Sequence, residues 1–171
     1  MNPVELIAAK RDGREHSRAE IDAIIAAICT GEMADYQASA WLMAVYLRGM
    51  TPAETLNLTL AMRDSGETVH WPDYATIRLD KHSTGGVGDK TTLSVAPILA
   101  AAGIPILKMS GRGLGFSGGT IDKLESIPGF KTNLSIQDAM KQVEEIGIAI
   151  IGQSPTMVPA DKILYSLRDV T

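Results

Sequence analysis

Lys81–Leu124 reads KHSTGGVGDKTTLSVAPILAAAGIPILKMSGRGLGFSGGTIDKL and carries two glycine-rich loops studded with hydroxyls and lysines. Each loop falls where a strand ends and a helix begins. Ile77–Asp80 reads as a short strand before the first loop, and Thr92–Ala102 as the helix after it. Ile104–Met109 reads as the next strand, and a short helix from about Thr120 to Ile127 follows the second loop. Backbone N–H groups at a helix start are unpaired and the helix dipole favours negative charge there. Glycine lets the backbone approach a ligand closely. Two such loops feeding one sheet predict an anion held from two sides.

Downstream, Pro128-Gly129 is a turn. Ile136, Ala139, Met140 and Val143 mark an amphipathic helix capped by Ser135 and stopped by Gly147; Ile148–Ile151 is a buried strand, and Pro159–Leu167 begins another helix. Strands alternating with helices predict a parallel sheet covered on both faces.

Upstream the chain is helical. Asn2-Pro3-Val4-Glu5 offers an N-cap, a first-position proline and a capping-box glutamate, and Ser17-Arg18-Ala19-Glu20 repeats the box. Ile21, Ile24, Ile25 and Ile28 then form one apolar face, which Gly31 ends. Asp35 is placed to cap a helix carrying Ala38, Trp41, Leu42 and Val45 and ending at Gly49. Thr51-Pro52-Ala53-Glu54 opens a fourth, closing near Gly66, whose Leu56, Leu58, Leu60 and Met62 spread over more than one face. The fold class is thus α/β: an all-helical domain over 1–66, a linker over 67–75 with a turn at Trp71-Pro72-Asp73, and the start of a parallel-sheet α/β domain over 76–171.

The composition narrows the functions. A chain of 171 residues with 45% hydrophobic and 21% charged residues can bury a real core. A net charge of −4 argues against nucleic acid or an anionic membrane as partner, so positive charge near the loops is local. Cys29 is the one cysteine, which leaves no internal disulfide and no cysteine metal cluster; it reads as a small apolar helix residue. The N-terminus lacks a signal peptide's apolar core, and Leu93–Leu107, broken by Ser94, Pro97, Gly103 and Pro105, falls short of the roughly 20 apolar residues that span a bilayer. The chain reads as cytoplasmic.

Rival motifs fit poorly. Gly113–Gly118 matches G-x-G-x-x-G, but Asp138, near the distance of a dinucleotide fingerprint's acid, sits inside an amphipathic helix. In the first loop Lys90 follows Asp89 rather than glycine, so the P-loop pattern fails. A mononucleotide, sugar-phosphate or inorganic phosphate site remains.

Lys81–Asp89, Ser110–Gly115, Gly118–Phe130 and Leu167–Thr171 closely resemble the pyrimidine-nucleoside and thymidine phosphorylases. The second of the loop blocks is long and nearly uninterrupted, and the resemblance extends through the helical start. Family members are more than twice as long, so the chain corresponds to their N-terminal portion. The resemblance implies cleavage of a pyrimidine nucleoside by inorganic phosphate to free base and pentose 1-phosphate, with phosphate as co-substrate and no cofactor required. It also implies a homodimer formed through the helical domain.

Carried over by position, Lys81, Ser83, Ser110 and Thr120 would hold phosphate, with Thr92 adding a hydroxyl. One cation, several donors and nearby helix starts suit phosphate. His82 would protonate or hydrogen-bond the departing pyrimidine. Arg168 would grip the base by forked hydrogen bonds and stabilise negative charge as the glycosidic bond breaks. Tyr165 borders the same pocket or simply packs its helix. Met109 and Lys108 lie beside Ser110 and contact ligand, or Lys108 is a strand-end surface lysine. His16 and His70 have no motif support and read as surface residues.

The chain departs from the family at Phe116, where relatives often carry histidine. Several bacterial members bind a monovalent cation near Gly88 and the residue two positions on. Here that residue is Lys90, whose ammonium would oppose or replace potassium unless the ligand is a backbone carbonyl. A second base-binding lysine and serine would lie just past Thr171. Two alternatives stand beside the phosphorylase: an anthranilate-type phosphoribosyltransferase, which needs magnesium for pyrophosphate, and a non-catalytic dimerisation and phosphate-binding fragment.

Overall fold

The chain begins with capped helices. In the computed structural model, which describes residues 2–71, 79–81, 90–113 and 118–168 (the last without its side chain), Asn2 caps α1, Pro3–Arg11, by accepting from the Val4 N–H. Ser17 and Glu20 form a reciprocal capping box at the start of α2, Arg18–Thr30, and Gly31 ends it in the left-handed region at φ 77°. Ile21, Ile24, Ile25 and Ile28 are all buried. The box recurs at Thr51 and Glu54 for α4, Pro52–Arg63.

One cap differs from the sequence expectation. α3 is Asp35–Arg48, so Asp35 is its first residue and Ala34, in extended conformation, is the cap. Alanine cannot cap with its side chain, and the Gln37 Oε1 instead accepts the Ala34 N–H at 3.1 Å. His16 differs more: it is buried, not on the surface, because its Nε2 accepts the N–H of the fully buried Trp41 at 3.2 Å. His70 is exposed as expected. Cys29 packs against the helical core, and burial raises its thiol pKa.

The contacts divide the chain into two units: Met1–Thr68 with Pro155–Thr171, and Val69–Ser154. In the first, α1 packs on α3 and α2 on α4, while α8, Pro159–Arg168, lies against α2, α3 and α4. Residues 155–168, which the sequence places with the α/β segment, therefore share the helical core through Ala160 and Leu164. The Glu67 N–H donates to the Thr156 carbonyl at 2.8 Å, and a Cβ on Gly66 would run into Thr156 and Pro159. The segment opening the expected linker is thus tied down at its start. Val158, just before α8, has φ 46°, a strained value for a β-branched residue.

The second unit contains α5, Lys90–Ala101; β1, Ile106–Ser110; α6, Thr120–Glu125; α7, Ile136–Ile146; and β2, Ile148–Gly152. β1 and β2 are parallel, from Ile106 beside Ile148 to Ser110 beside Gly152, and Leu79 bridges to Ile106, also in parallel. Ala96, Ile106, Ile121, Leu124 and Ile150 form one core. Ala149 and Ile151 are also buried, and strand alternation turns them to the face opposite Ile150, so both faces of β2 are covered. Among the described residues no helix is long and apolar enough to cross a membrane.

Candidate phosphate site

Parallel strands bring their carboxyl ends to one sheet edge, where ligands of open α/β sheets bind. Ser110 ends β1, Gly152 ends β2, and Lys81 lies two residues beyond Leu79. The Lys81 Nζ donates to the Thr92 Oγ1 at 3.0 Å, and Thr92 is buried in the first turn of α5. The Lys81 N–H donates to Asp80 Oδ1 at 2.8 Å, and the same carboxylate pairs with the Lys108 Nζ at 3.1 Å. The Asp80 carboxylate thus takes one ammonium, that of Lys108, and one backbone N–H, that of Lys81, while the Lys81 ammonium is held beside Thr92. Lys108 is not a plain surface lysine: its side chain is 12% exposed and its charge is used against Asp80.

The second loop is gathered by Asp122. Its Oδ2 accepts the N–H groups of Gly113 and Gly119, both at 2.8 Å, and these two bonds hold its pKa below the usual carboxylate range. Arg112 donates to Asp122 at 3.0 Å and to both oxygens of Glu125 at 2.8 and 2.9 Å. The Arg112 guanidinium, followed by the Thr132 hydroxyl, keeps the Glu125 pKa low as well. A side chain on Gly113 would collide with the backbone of Gly118 and Gly119, so glycine is required for the two ends to meet. The helix start of α6 therefore spends the Gly119 N–H internally. Thr120, its first residue, is buried.

Of the sequence-predicted site residues, the structure joins Lys81 and Thr92 directly. It sets Ser110 at the end of β1 and Thr120 at the start of α6. Met109 is half-buried on β1, on the face opposite Lys108. Tyr165 is half-buried on α8, within the helical unit. Lys90 is exposed at the start of α5. His82, Ser83, Gly88 and Phe116 lie outside the described residues, as does the Arg168 side chain, so the expected base contacts and cation ligands rest on the sequence. Asp80 and Asp122 went unassigned in the sequence. The signal for Asp122 was present, an acid at the third helical position after Gly119, where a carboxylate reaches back to the cap N–H. Nothing local marks Asp80, whose partner Lys108 comes from another strand.

Known proteins resemble both halves. The glycosyl transferase family, helical bundle domain, matches residues 4–66, and the glycosyl transferase family, a/b domain, matches residues 75–171. A pyrimidine-nucleoside phosphorylase of Staphylococcus haemolyticus is 52% identical over 171 residues, all of this chain and 40% of the relative. One from Geobacillus stearothermophilus is 51% identical over the same span, again 40% of the relative. A thymidine phosphorylase of Rhizobium meliloti is 52% identical over 171 residues, 39% of its length. The chain therefore spans about 40% of the length of these relatives. Among solved structures, an anthranilate phosphoribosyltransferase from Thermus thermophilus superposes with a TM-score of 0.71 at 23% identity, covering 95% of this chain and 49% of that one. At that identity the likeness is one of fold.

Proposed function

The chain belongs to the glycosyl transferase family, joining its helical bundle domain to its a/b domain, and from that premise we propose that it serves pyrimidine-nucleoside phosphorolysis. The observation that carries the reading is the match, at about half identity, to phosphorylases over all 171 residues. The Lys81–Thr92 pair at the strand ends supports it, since it offers phosphate a cation and a hydroxyl in one place.

In the proposed reaction, Lys81, Ser83, Thr92, Ser110 and Thr120 hold inorganic phosphate against one face of the sugar. A phosphate oxygen forms a bond to the anomeric carbon as the bond from that carbon to the base nitrogen breaks. The electron pair leaves with the base, and His82 and Arg168 stabilise it there as an anion or enol, His82 supplying the proton. Lys108, Met109 and Tyr165 border the substrates. Catalysis comes from positioning two reactants and neutralising the leaving group. Products are the free base and the pentose 1-phosphate. No cofactor is required, and Gly88 and Lys90 mark a monovalent cation site that takes potassium if its ligand at Lys90 is the backbone carbonyl and that the Lys90 ammonium otherwise opposes or replaces.

The homodimer belongs to the same proposal. Tyr36, Met43 and Leu47 lie along α3 at helical spacing and are 75%, 48% and 70% exposed, an apolar face suited to a second copy. The substrates and the lone Cys29 accord with a cytoplasmic enzyme.

The test is free-base release from uridine and thymidine by the protein in its full cellular form, with and without phosphate and magnesium. Release that demands phosphate and ignores magnesium is expected. Chemistry that demands magnesium and a pyrophosphorylated sugar would favour the phosphoribosyltransferase, and no turnover would favour a non-catalytic module.

A further inference from the structure

An acidic side chain beside a phosphate loop is an electrostatic liability unless its charge is consumed. At Asp122 it is consumed three times over. One oxygen takes the N–H groups of Gly113 and Gly119 and the other faces the Arg112 guanidinium. Gly113 lies three residues after Ser110, and Gly119 immediately precedes Thr120. The carboxylate therefore draws together a backbone point three residues past Ser110 and the one immediately before Thr120. The tightness of the approach is independent of the carboxylate itself, because a Cβ at Gly113 or at Gly119 would overlap the opposing backbone.

The clasp is also anchored to the sheet. Arg112 carries it to Glu125, whose Oε1 accepts the Thr132 hydroxyl at 2.7 Å. The Thr132 carbonyl accepts the Gly152 N–H at 2.7 Å, at the end of β2. Thr132 is buried. A continuous set of contacts thus runs from the loop's neck to the carboxyl end of the neighbouring strand.

From this geometry we infer that Asp122 is the positioning residue of the phosphate site, fixing Ser110 relative to Thr120 by clasping Gly113 to Gly119. The inference rests on the phosphate reading of the preceding section. Asp122 does not touch phosphate. It acts through the backbone, and its value is preorganisation: the two hydroxyls stand ready before the anion arrives. Two consequences separate this role from that of a charge. Asp122→Asn keeps one oxygen able to accept from both glycines while its NH2 group loses Arg112. Arg112→Ala removes the ion pair and leaves the clasp. Asp122→Ala removes both.

The experiment titrates inorganic phosphate into the chain and three variants by calorimetry, with amide hydrogen exchange and a thermal melt on each. The wild type is expected to bind phosphate and to protect the Gly113 and Gly119 amides. Asp122→Ala should weaken phosphate binding by about tenfold or more, the effect of losing two charge-assisted hydrogen bonds, and should lose protection at both glycines. Asp122→Asn and Arg112→Ala should both stay within about threefold of wild type, an exposed ion pair being weak. Wild-type affinity in a folded Asp122→Ala, or unprotected Gly113 and Gly119 amides in the wild type, would overturn the inference. If Asp122→Ala does not fold, Asp122→Asn decides: retained affinity with protected amides upholds the clasp, and a tenfold or greater loss refutes it. A wild type that binds no phosphate refutes the phosphate reading and the positioning role together, whereas failure of the clasp alone leaves wild-type phosphate binding intact.

Discussion

Glu54 is the most consequential buried charge in the helical unit. It is 1% exposed, and its carboxylate accepts Lys10 Nζ at 2.7 and 2.9 Å, the His16 N–H at 2.8 Å and the Thr51 N–H at 2.9 Å. Burial pushes its pKa up, but the His16 N–H, Lys10 and the Thr51 N–H outweigh that, and the carboxyl sits below its ordinary 4.5. Glu54→Ala strands the ammonium of Lys10, itself only 3% exposed, and orphans the His16 N–H. Breaking a buried pair from one side costs about 3–5 kcal/mol, and an orphaned buried donor about 1–3 kcal/mol more, so the sum starts at about 4 kcal/mol. A loss of about 4 kcal/mol takes a large share of a domain's usual ~5–15 kcal/mol and lowers Tm by roughly 8–16 °C at this chain length. The assay is urea unfolding followed by the fluorescence of Trp41 in a Trp71→Phe background. Lys10→Met should be costly too, while Lys10→Met with Glu54→Gln should recover part of the loss, giving a coupling of about 1–3 kcal/mol. A Glu54→Ala cost under about 1 kcal/mol, or strict additivity, would refute the reasoning. The same core also holds α8, which packs on α2, α3 and α4, so the loss would reach Tyr165 on that helix.

Three further predictions concern other parts of the molecule. Burial holds His16 below its ordinary 6.5, and the Trp41 N–H occupies its Nε2, so it folds neutral among Glu20, Arg14, Glu54 and Lys10. The unfolded chain takes up that proton first as pH falls, so this stability is whole above pH 6.5 and drains below it, by at most about 1.4 kcal/mol per pH unit; urea midpoints at descending pH should show the slope, and an unchanged slope in His16→Gln would contradict it. Gly113→Ala should weaken phosphate binding by about tenfold or more, because the loop's neck can no longer close; calorimetry showing wild-type affinity would count against the neck. Gly66→Ala should destabilise the helical unit by about 2 kcal/mol or more, since its Cβ meets Thr156 and Pro159; the same melt would expose an error if Tm did not move.

Local rules made much of this fold legible. Ser17 with Glu20, Thr51 with Glu54, and the glycine stops at Gly31, Gly49 and Gly147 all act within one helical turn, so sequence order reveals them. What depends on distant partners did not show. His16 is buried because Trp41, in another helix, needs an acceptor. Residues 155–168 join the helical core because Ala160 and Leu164 find α2, α3 and α4, a choice no periodicity records. The site divides in the same way. Lys81, Ser110 and Thr120 stood out because glycine and hydroxyl residues cluster along the chain. The Asp80–Lys108 pair did not, because strand pairing creates it.

The most direct test of the account is inorganic phosphate binding at Lys81, measured by calorimetry on the chain and on Lys81→Ala. The account predicts saturable binding by the wild type, weakened by about tenfold or more when the ammonium beside Thr92 is removed, with the thermal melt unchanged. No saturable binding, or equal affinity in the two proteins, would contradict it.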